Sequence, residues 1–375
     1  MEIKNISPIL SSLLLSAASL TYADYENTDT SDRATKHIVT TSSATDQTPL
    51  IPPSARPEVN DGFDLFIMGN YLLWKPNTSG LAYVIRQKGS AQQTVTEGGV
   101  KSPDFKYDSG FEVGLGCNLS HDGWDARLSW TGFEESTHSK HSYQGGELTL
   151  FTTFISPSAI GDLSTAQWAL GRWHMNFNML DLSMGREFYV GKWLSIRPFC
   201  GMRSAWIKQH YDIDYKNIAN AADQNNIIYA QYQAHLLNKY FGFGPRFGIN
   251  TDWGFGSGWS LYGNASIALL YGFFHVRDTE TSYTEETAEG IQQKNALNSF
   301  HATKAATDVE LGLKWDYMFL NDAFHLGVHA GWQQVLFFSQ NQFMRFTSNQ
   351  EIGQFLQNQG DLSFQGWTFG LRLDF

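Results

Sequence analysis

The sequence predicts an all-β protein, a transmembrane antiparallel up-and-down β-barrel of ten strands with short turns at one end and long connections at the other. Three observations carry this. Apolar and polar residues alternate with a period of two over long segments, the pattern of strands and not of helices. Many of these segments run far past the five or six residues usual for soluble strands. Tight turns interleave with connections of roughly 20 residues or more, the asymmetry of outer-membrane barrels, whose turns are periplasmic and whose loops are extracellular. Composition agrees: aromatic residues make up 15% and charged residues 17%, against a charged share of about 25% in soluble domains.

The chain opens with Met1 to Lys4, runs through a Leu-, Ser- and Ala-rich stretch from Ile6 to Leu20, and reaches Thr21-Tyr22-Ala23 before Asp24. This reads as a secretory signal peptide over residues 1–23, cleaved after Ala23. Its apolar run, interrupted by Pro8, is too short for a membrane anchor. Residues 24–61 are rich in Thr, Ser, Asp and Pro without an apolar period, so a disordered periplasmic lead-in is expected. The barrel is expected over residues 62–375.

The first strand, Phe63 to Trp74, sets Leu65, Ile67, Tyr71 and Leu73 against Asp64 and Asn70. Segments Leu81–Gln87 and Gln92–Glu97 can pair as a hairpin in the loop that follows. The second strand, Tyr107 to Leu119, points Phe111, Val113, Leu115 and Cys117 outward. After a turn at Ser120–Gly123, the third, Trp124 to Phe133, points Arg127 inward, and Glu134–Gly171 reads as a loop. The fourth, Arg172 to Val190, starts with Trp173, Met175, Phe177 and Met179 outward and then changes phase to Leu180, Leu182 and Met184. A β-bulge near Met179-Leu180 is expected there, because one inserted residue reverses the facing of all that follow.

The fifth strand, Leu194 to Tyr211, points Arg197 and Arg203 inward and Cys200 outward, before a predicted loop at Asp212–Asn238. The sixth, Lys239 to Trp253, and seventh, Trp259 to Phe274, flank a tight turn. The acidic stretch Arg277–His301 reads as a loop. The eighth strand, Ala302 to Phe319, and ninth, Ala323 to Ser339, flank Asn321-Asp322. A Gln- and Asn-rich loop, Gln340–Leu362, precedes the tenth, Ser363 to Phe375. Trp124, Trp193, Trp253 and Trp259 beside the tight turns, and Trp173 and Trp206 near the opposite ends, fit aromatic girdles at the two interfaces. If Gln144–Phe154 and Leu81–Glu97 contribute strands, the barrel has twelve to fourteen.

The net charge of −11 disfavours nucleic acid as a partner. Cys117 and Cys200 are too few for a disulfide framework and read as small lipid-facing residues, with a disulfide between them as the alternative and an intermolecular link as a lesser one. No motif calls for a cofactor, a metal or a catalytic site. The enzyme alternative rests on His210, Asp212, Asp214 and His301 near strand tops, where a carboxylate and an imidazole could share a water. The lumen is more informative. Inward Arg127, Arg172, Arg197, Arg203 and Arg246 face Asp308, Glu310 and Asp316 across the ring, either as a transverse field at a constriction or as salt bridges that plug it. Within the last strand, Arg372 has Asp64 beside it as a partner.

Five blocks carry a family likeness: Trp74-Lys75-Pro76-Asn77 with Gly80-Leu81-Ala82-Tyr83, Gly110 to Gly116 with Asp122-Gly123-Trp124-Asp125, Gly244 to Thr251, Ser260 to Ser266, and Leu371 to Phe375. They resemble the pore-forming outer-membrane protein family of Legionella and environmental chlamydiae, the major-outer-membrane-protein-like proteins. The resemblance implies a multi-pass barrel of the bacterial outer membrane, exported by its signal peptide. The expected function is porin-like: passive diffusion of ions and small polar solutes. The alternative is a structural or adhesin-like barrel acting through its extracellular loops. Expected partners are outer-membrane lipid, the barrel-assembly machinery, for which Phe375 would serve as the C-terminal signal, and further copies of the chain.

Overall fold

The computed structural model describes residues 54–59, 62–88, 97–119, 123–142, 148–160, 163–286, 289–345 and 356–375. The expected signal peptide and most of the expected lead-in lie outside the described residues. The strands are β1 (Leu65–Thr78), β2 (Val84–Lys88), β3 (Glu97–Lys101), β4 (Asp108–Asn118), β5 (Trp124–Ser142), β6 (Leu148–Thr152), β7 (Ser164–Arg186), β8 (Phe188–Tyr189), β9 (Leu194–Asn220), β10 (Asp223–Gly256), β11 (Trp259–Tyr283), β12 (Ile291–Phe319), β13 (Phe324–Arg345) and β14 (Leu356–Asp374), with one helical turn at Pro157–Ile160.

Ten of these close a ring. The antiparallel order is β1, β4, β5, β7, β9, β10, β11, β12, β13, β14, and β14 returns to β1 from Phe66 opposite Asp374 to Thr78 opposite Leu362. The expected ten-stranded barrel is therefore the observed one. Strands β2, β3 and β6 do not enter the ring; they form a side sheet that joins it where β6 pairs with Thr165 and Ala166 of β7. The predicted hairpin after the first strand is present with its second arm displaced to Glu97–Lys101.

Short turns close one end. Gly256, Ser257 and Gly258 all take positive φ, and a Cβ on Gly258 would meet the Asp316 carbonyl oxygen at 2.3 Å, so this turn requires glycine there. At the same end Ser54 bridges to Phe188, and Arg56 donates to the carbonyls of Leu119 and Trp124. This part of the lead-in is thus held on the short-turn rim, where disorder was expected.

The other end differs from expectation. Stretches read as long loops are largely strand: β9 and β10 continue as one hairpin through Asp212–Asn238, β5 runs to Ser142, and β11 and β12 extend to Tyr283 and from Ile291. The ladders rise well beyond the apolar outer band, whose exposed side chains include Phe243, Phe247, Ile267, Leu269, Val309, Leu311 and Leu371.

The bulge expected in the fourth strand is absent. β7 pairs with β5 and β9 without a register shift through Met179 and Leu180. Trp173, Met175, Phe177 and Met179 point inward and are buried, while Leu180, Leu182 and Met184 point outward and are exposed. The pleat never reverses; the medium on each side of it does. Trp173 therefore belongs to the interior and not to a girdle, whereas Trp193, Trp206, Trp253 and Trp259 are exposed on the outer wall as expected. Cys117 and Cys200 are both free.

Candidate functional site

At membrane level the barrel interior is a charged network around a cavity of about 230 Å³. Arg203 of β9 makes a two-pronged pair with Asp181 of β7, both bonds 2.7 Å, and reaches Asp308 of β12 at 2.6 Å. Arg246 of β10 lies between the same carboxylates, 3.2 Å from Asp181 and 3.5 Å from Asp308, and donates to Ser266. Arg197 grips Asp125 and donates to Asn250 at 3.1 Å, and Arg127 pairs with Asp125 at 3.0 Å. Bidentate pairing and further hydrogen bonds are what buried charges need, since desolvation otherwise outweighs attraction.

A second cluster sits nearer the short turns. Asp316 lies 3.2 Å from Lys314 and 3.0 Å from Nε2 of His325, whose Nδ1 is 2.8 Å from Asp374. The His325 ring is thus held between two carboxylates, one at each nitrogen. Arg372 pairs with Asp374 at 2.6 Å, two residues along its own strand, and not with Asp64 as expected. Asp64 is turned into positive φ, where its carbonyl accepts from Asn118.

Seven of the eight expected lumen residues do face the interior. Arg172 does not: it stands on the outer wall above the membrane, paired with Asp214 at 2.5 Å. Its misplacement has the same origin as the bulge, since the phase of that half-strand is the opposite of the one its apolar residues suggest. Glu310 accepts from Tyr262 and Asn264, and Glu112 from Asn70. Arg127, Arg197, Arg203 and Arg246 are each ion-paired with Asp125, Asp181 or Asp308 inside the ring.

Above this layer polar contributors on five strands give way to apolar residues within a step. Asn70 is followed by Leu72 and Trp74, Asp181 is preceded by Met179 and Phe177, and Arg203 is followed by Ala205 and Ile207. Asp308 is preceded by Ala306, and Gln333 followed by Val335 and Phe337. These side chains join one core with Phe133, Tyr211, Phe343 and Phe364. The Phe177 ring packs 5.6 Å from Phe337 and 4.7 Å from Phe364, and Trp74 lies 5.3 Å from Phe364. Tyr240 lies across two glycines; a Cβ on Gly242 would meet its hydroxyl at 2.1 Å, and one on Gly272 its ring at 2.2 Å. The loop after β1 seals the top, where Tyr211 and Tyr215 donate to the carbonyls of Leu81 and Tyr83.

The histidines and carboxylates considered for catalysis are on the outer wall. His235 is 2.7 Å from Asp212, both partly exposed, and His301 stacks on Tyr271. Among the described residues no group of three or more His, Cys, Asp or Glu is arranged to hold a metal.

A ten-stranded ring with an apolar outer band, aromatic interfaces and a paired polar interior is the architecture of an outer-membrane barrel. The family model described as Legionella pneumophila major outer membrane protein precursor matches residues 55–375. The chain belongs to this family. As a member of the Legionella major outer membrane protein family, it is an outer-membrane protein, and its Gly244–Thr251 and Ser260–Ser266 blocks are paired segments of β10 and β11. No curated protein matches it. Among solved structures, the outer membrane protease OmpT from Escherichia coli is 10% identical, covering 85% of this chain and 100% of that one with a TM-score of 0.42. The Pseudomonas putida toluene transporter TodX is 8% identical, covering 84% and 91%, at 0.28. A Pseudomonas aeruginosa FadL homologue is 8% identical, covering 82% and 89%, at 0.22.

Proposed function

We propose that this protein is a closed outer-membrane barrel that acts at the cell surface, through the folded extension of its strands above the membrane, and not as an open diffusion pore. The carrying observation is the apolar core across the ring above Arg203 and Asp308, in which Trp173, Phe177, Phe337 and Phe343 have no more than 1% of their surface exposed. A hydrated ion has no polar path through such a layer, and a ten-stranded ring is close to the size that side chains fill.

The porin reading is supported by the polar cavity beneath the core, which would become half of a solute path if the core moved aside. Planar-bilayer recording on purified protein separates the two. The wild type is expected to give no stable conductance steps, and the double variant Phe177→Ala/Phe337→Ala to leak. Regular open steps from the wild type would refute the closed reading and establish diffusion. Phe375 is proposed as the assembly signal, because its main chain hydrogen-bonds Leu65 at the seam where β14 closes the ring on β1.

A further inference from the structure

The outward positions of adjacent strands form rungs that can be followed around the wall. One rung, at the outer edge of the apolar band, reads Asn178, Trp206, Phe241, Phe273 and His301 across β7, β9, β10, β11 and β12. The next rung away from the short turns reads Asn176, Lys208, Lys239, His275 and Ser299, and the one beyond it brings His174, His210, Leu237 and Arg277. Lys208 and Lys239 are therefore directly opposite on neighbouring strands, where like charges repel. Among the described residues Lys208, Lys239 and Arg277 make no ion pair. Glu134, opposite Asn176 on the same rung, lies 3.7 Å from His174, and Asp212, further out, pairs with His235.

Depth decides what this patch meets. From Trp253 to Phe241, β10 climbs about 30 Å at about 3.4 Å per residue and a tilt near 40°, enough to cross the apolar band of about 25 Å. Lys239 stands about 5 Å higher, at headgroup level. Flexible lysine stems can lie along the aromatic rung with their ammonium groups in the polar zone. The field there is positive enough that, after burial, Lys208 is the largest influence lowering the pKa of His210.

We propose that Lys208, Lys239 and Arg277 form a docking surface for a phosphate-bearing glycolipid of the outer leaflet, with its acyl chains against Trp206, Phe241 and Phe273. Continuity with the aromatic rung commits the surface to a lipid, because a free phosphate gains nothing from the apolar wall below. The inference stands whether or not the barrel conducts.

Native mass spectrometry of the detergent-purified protein tests it, with bisphosphorylated lipid A and its dephosphorylated counterpart as probes. The wild type is expected to hold the phosphorylated probe about tenfold or more tightly than the other, from summed attraction of several cations to anionic lipid. The Lys208→Gln/Lys239→Gln/Arg277→Gln variant is expected to hold both alike. A control variant, Lys140→Gln/Lys216→Gln, removes exposed cations beside Trp168 and should behave as the wild type. Equal retention of both probes by the wild type, or undiminished retention of the phosphorylated one by the triple variant, would overturn the proposal. Heat-shifted gel mobility reports folding; were the triple variant to misfold, Lys208→Gln and Lys239→Gln singly should each weaken binding, and no loss in either would overturn it.

Discussion

The membrane-level and extracellular halves of this barrel are built from the same strands and carry opposite chemistry. Along β10 the outward row runs Trp253, Ile249, Phe247, Phe243 and Phe241 beside lipid, then Lys239 at headgroup level and His235 in water; the inward row runs Asp252, Asn250 and Arg246, then Tyr240, Leu236, Ala234 and Tyr232. The parity of the pleat is constant and the assignment of apolar to outside is not. Below, the solvent is hydrocarbon, so the interior must satisfy polar groups internally. Above, the solvent is water, so the hydrophobic effect drives apolar residues inward, at about 1.5–3 kcal/mol for each large side chain buried. The upper half is packed like a soluble barrel continuous with a membrane one, and the level at which they meet is also the level at which the apolar core begins.

Breaking the lower half should be the more damaging. Arg203→Ala leaves Asp181 and Asp308 facing each other in the interior with only Arg246 between them. Loss of one partner from a buried charge network costs about 3–5 kcal/mol, to be read as a lowered urea midpoint in refolding from lipid vesicles. A midpoint within error of the wild type would mean that water reaches these carboxylates and screens them.

The outer face offers a sharper contrast with one type of substitution. Val309 lies near the middle of the lipid-facing row of β12, whereas Thr279 faces outward on the extracellular part of β11. Val309→Lys is expected to cost about 2–4 kcal/mol, the penalty for lysine near the bilayer midplane of a barrel, and Thr279→Lys no more than about 0.5 kcal/mol, as at an ordinary wet surface. Similar costs at both positions would shift the membrane boundary upward.

The same inversion explains what could be read from the sequence. Strand number, ring closure and the facing of Arg127, Arg197, Arg203, Arg246, Asp308, Glu310 and Asp316 were legible because each lies on a segment with lipid outside, where apolar means outward. Alternation specifies two faces without saying which meets solvent, so Trp173 to Met179 suggested a bulge and Arg172 a lumen position. The extracellular strands read as loops because their wet faces are Thr, Gln, Asn and Lys, and their inner faces mix Tyr and Ala with polar residues, giving weak contrast. The pairing of Arg203 with Asp181 on the neighbouring strand and with Asp308 across the lumen depends on register between strands, which period alone does not supply. The row of Lys208 and Lys239 was likewise hidden, since one residue fell at the end of a strand and the other at the edge of a predicted loop.

The smallest expected effect probes a charge stranded in the upper, apolar half. Glu135 points inward on β5, buried, with one carboxyl oxygen accepting from the Lys106 amide at 3.3 Å and the other without a partner. Burial pushes its pKa up to about 7, only partly opposed by that amide. Because the folded state favours the protonated form, Glu135 contributes stability that is fully present below the ordinary carboxylate range and is lost as pH rises through about 7. The shift corresponds to at most about 3 kcal/mol, and about 1–2 kcal/mol is a fair expectation once solvent relaxation is allowed for. Glu135→Gln keeps an oxygen for the Lys106 amide and removes the titration. The variant should match the wild type in urea midpoint at pH 5 and exceed it at pH 8. Equal midpoints at both values would show that Glu135 ionises in place at little cost, and that the upper interior is wetter around β5 than its apolar lining implies.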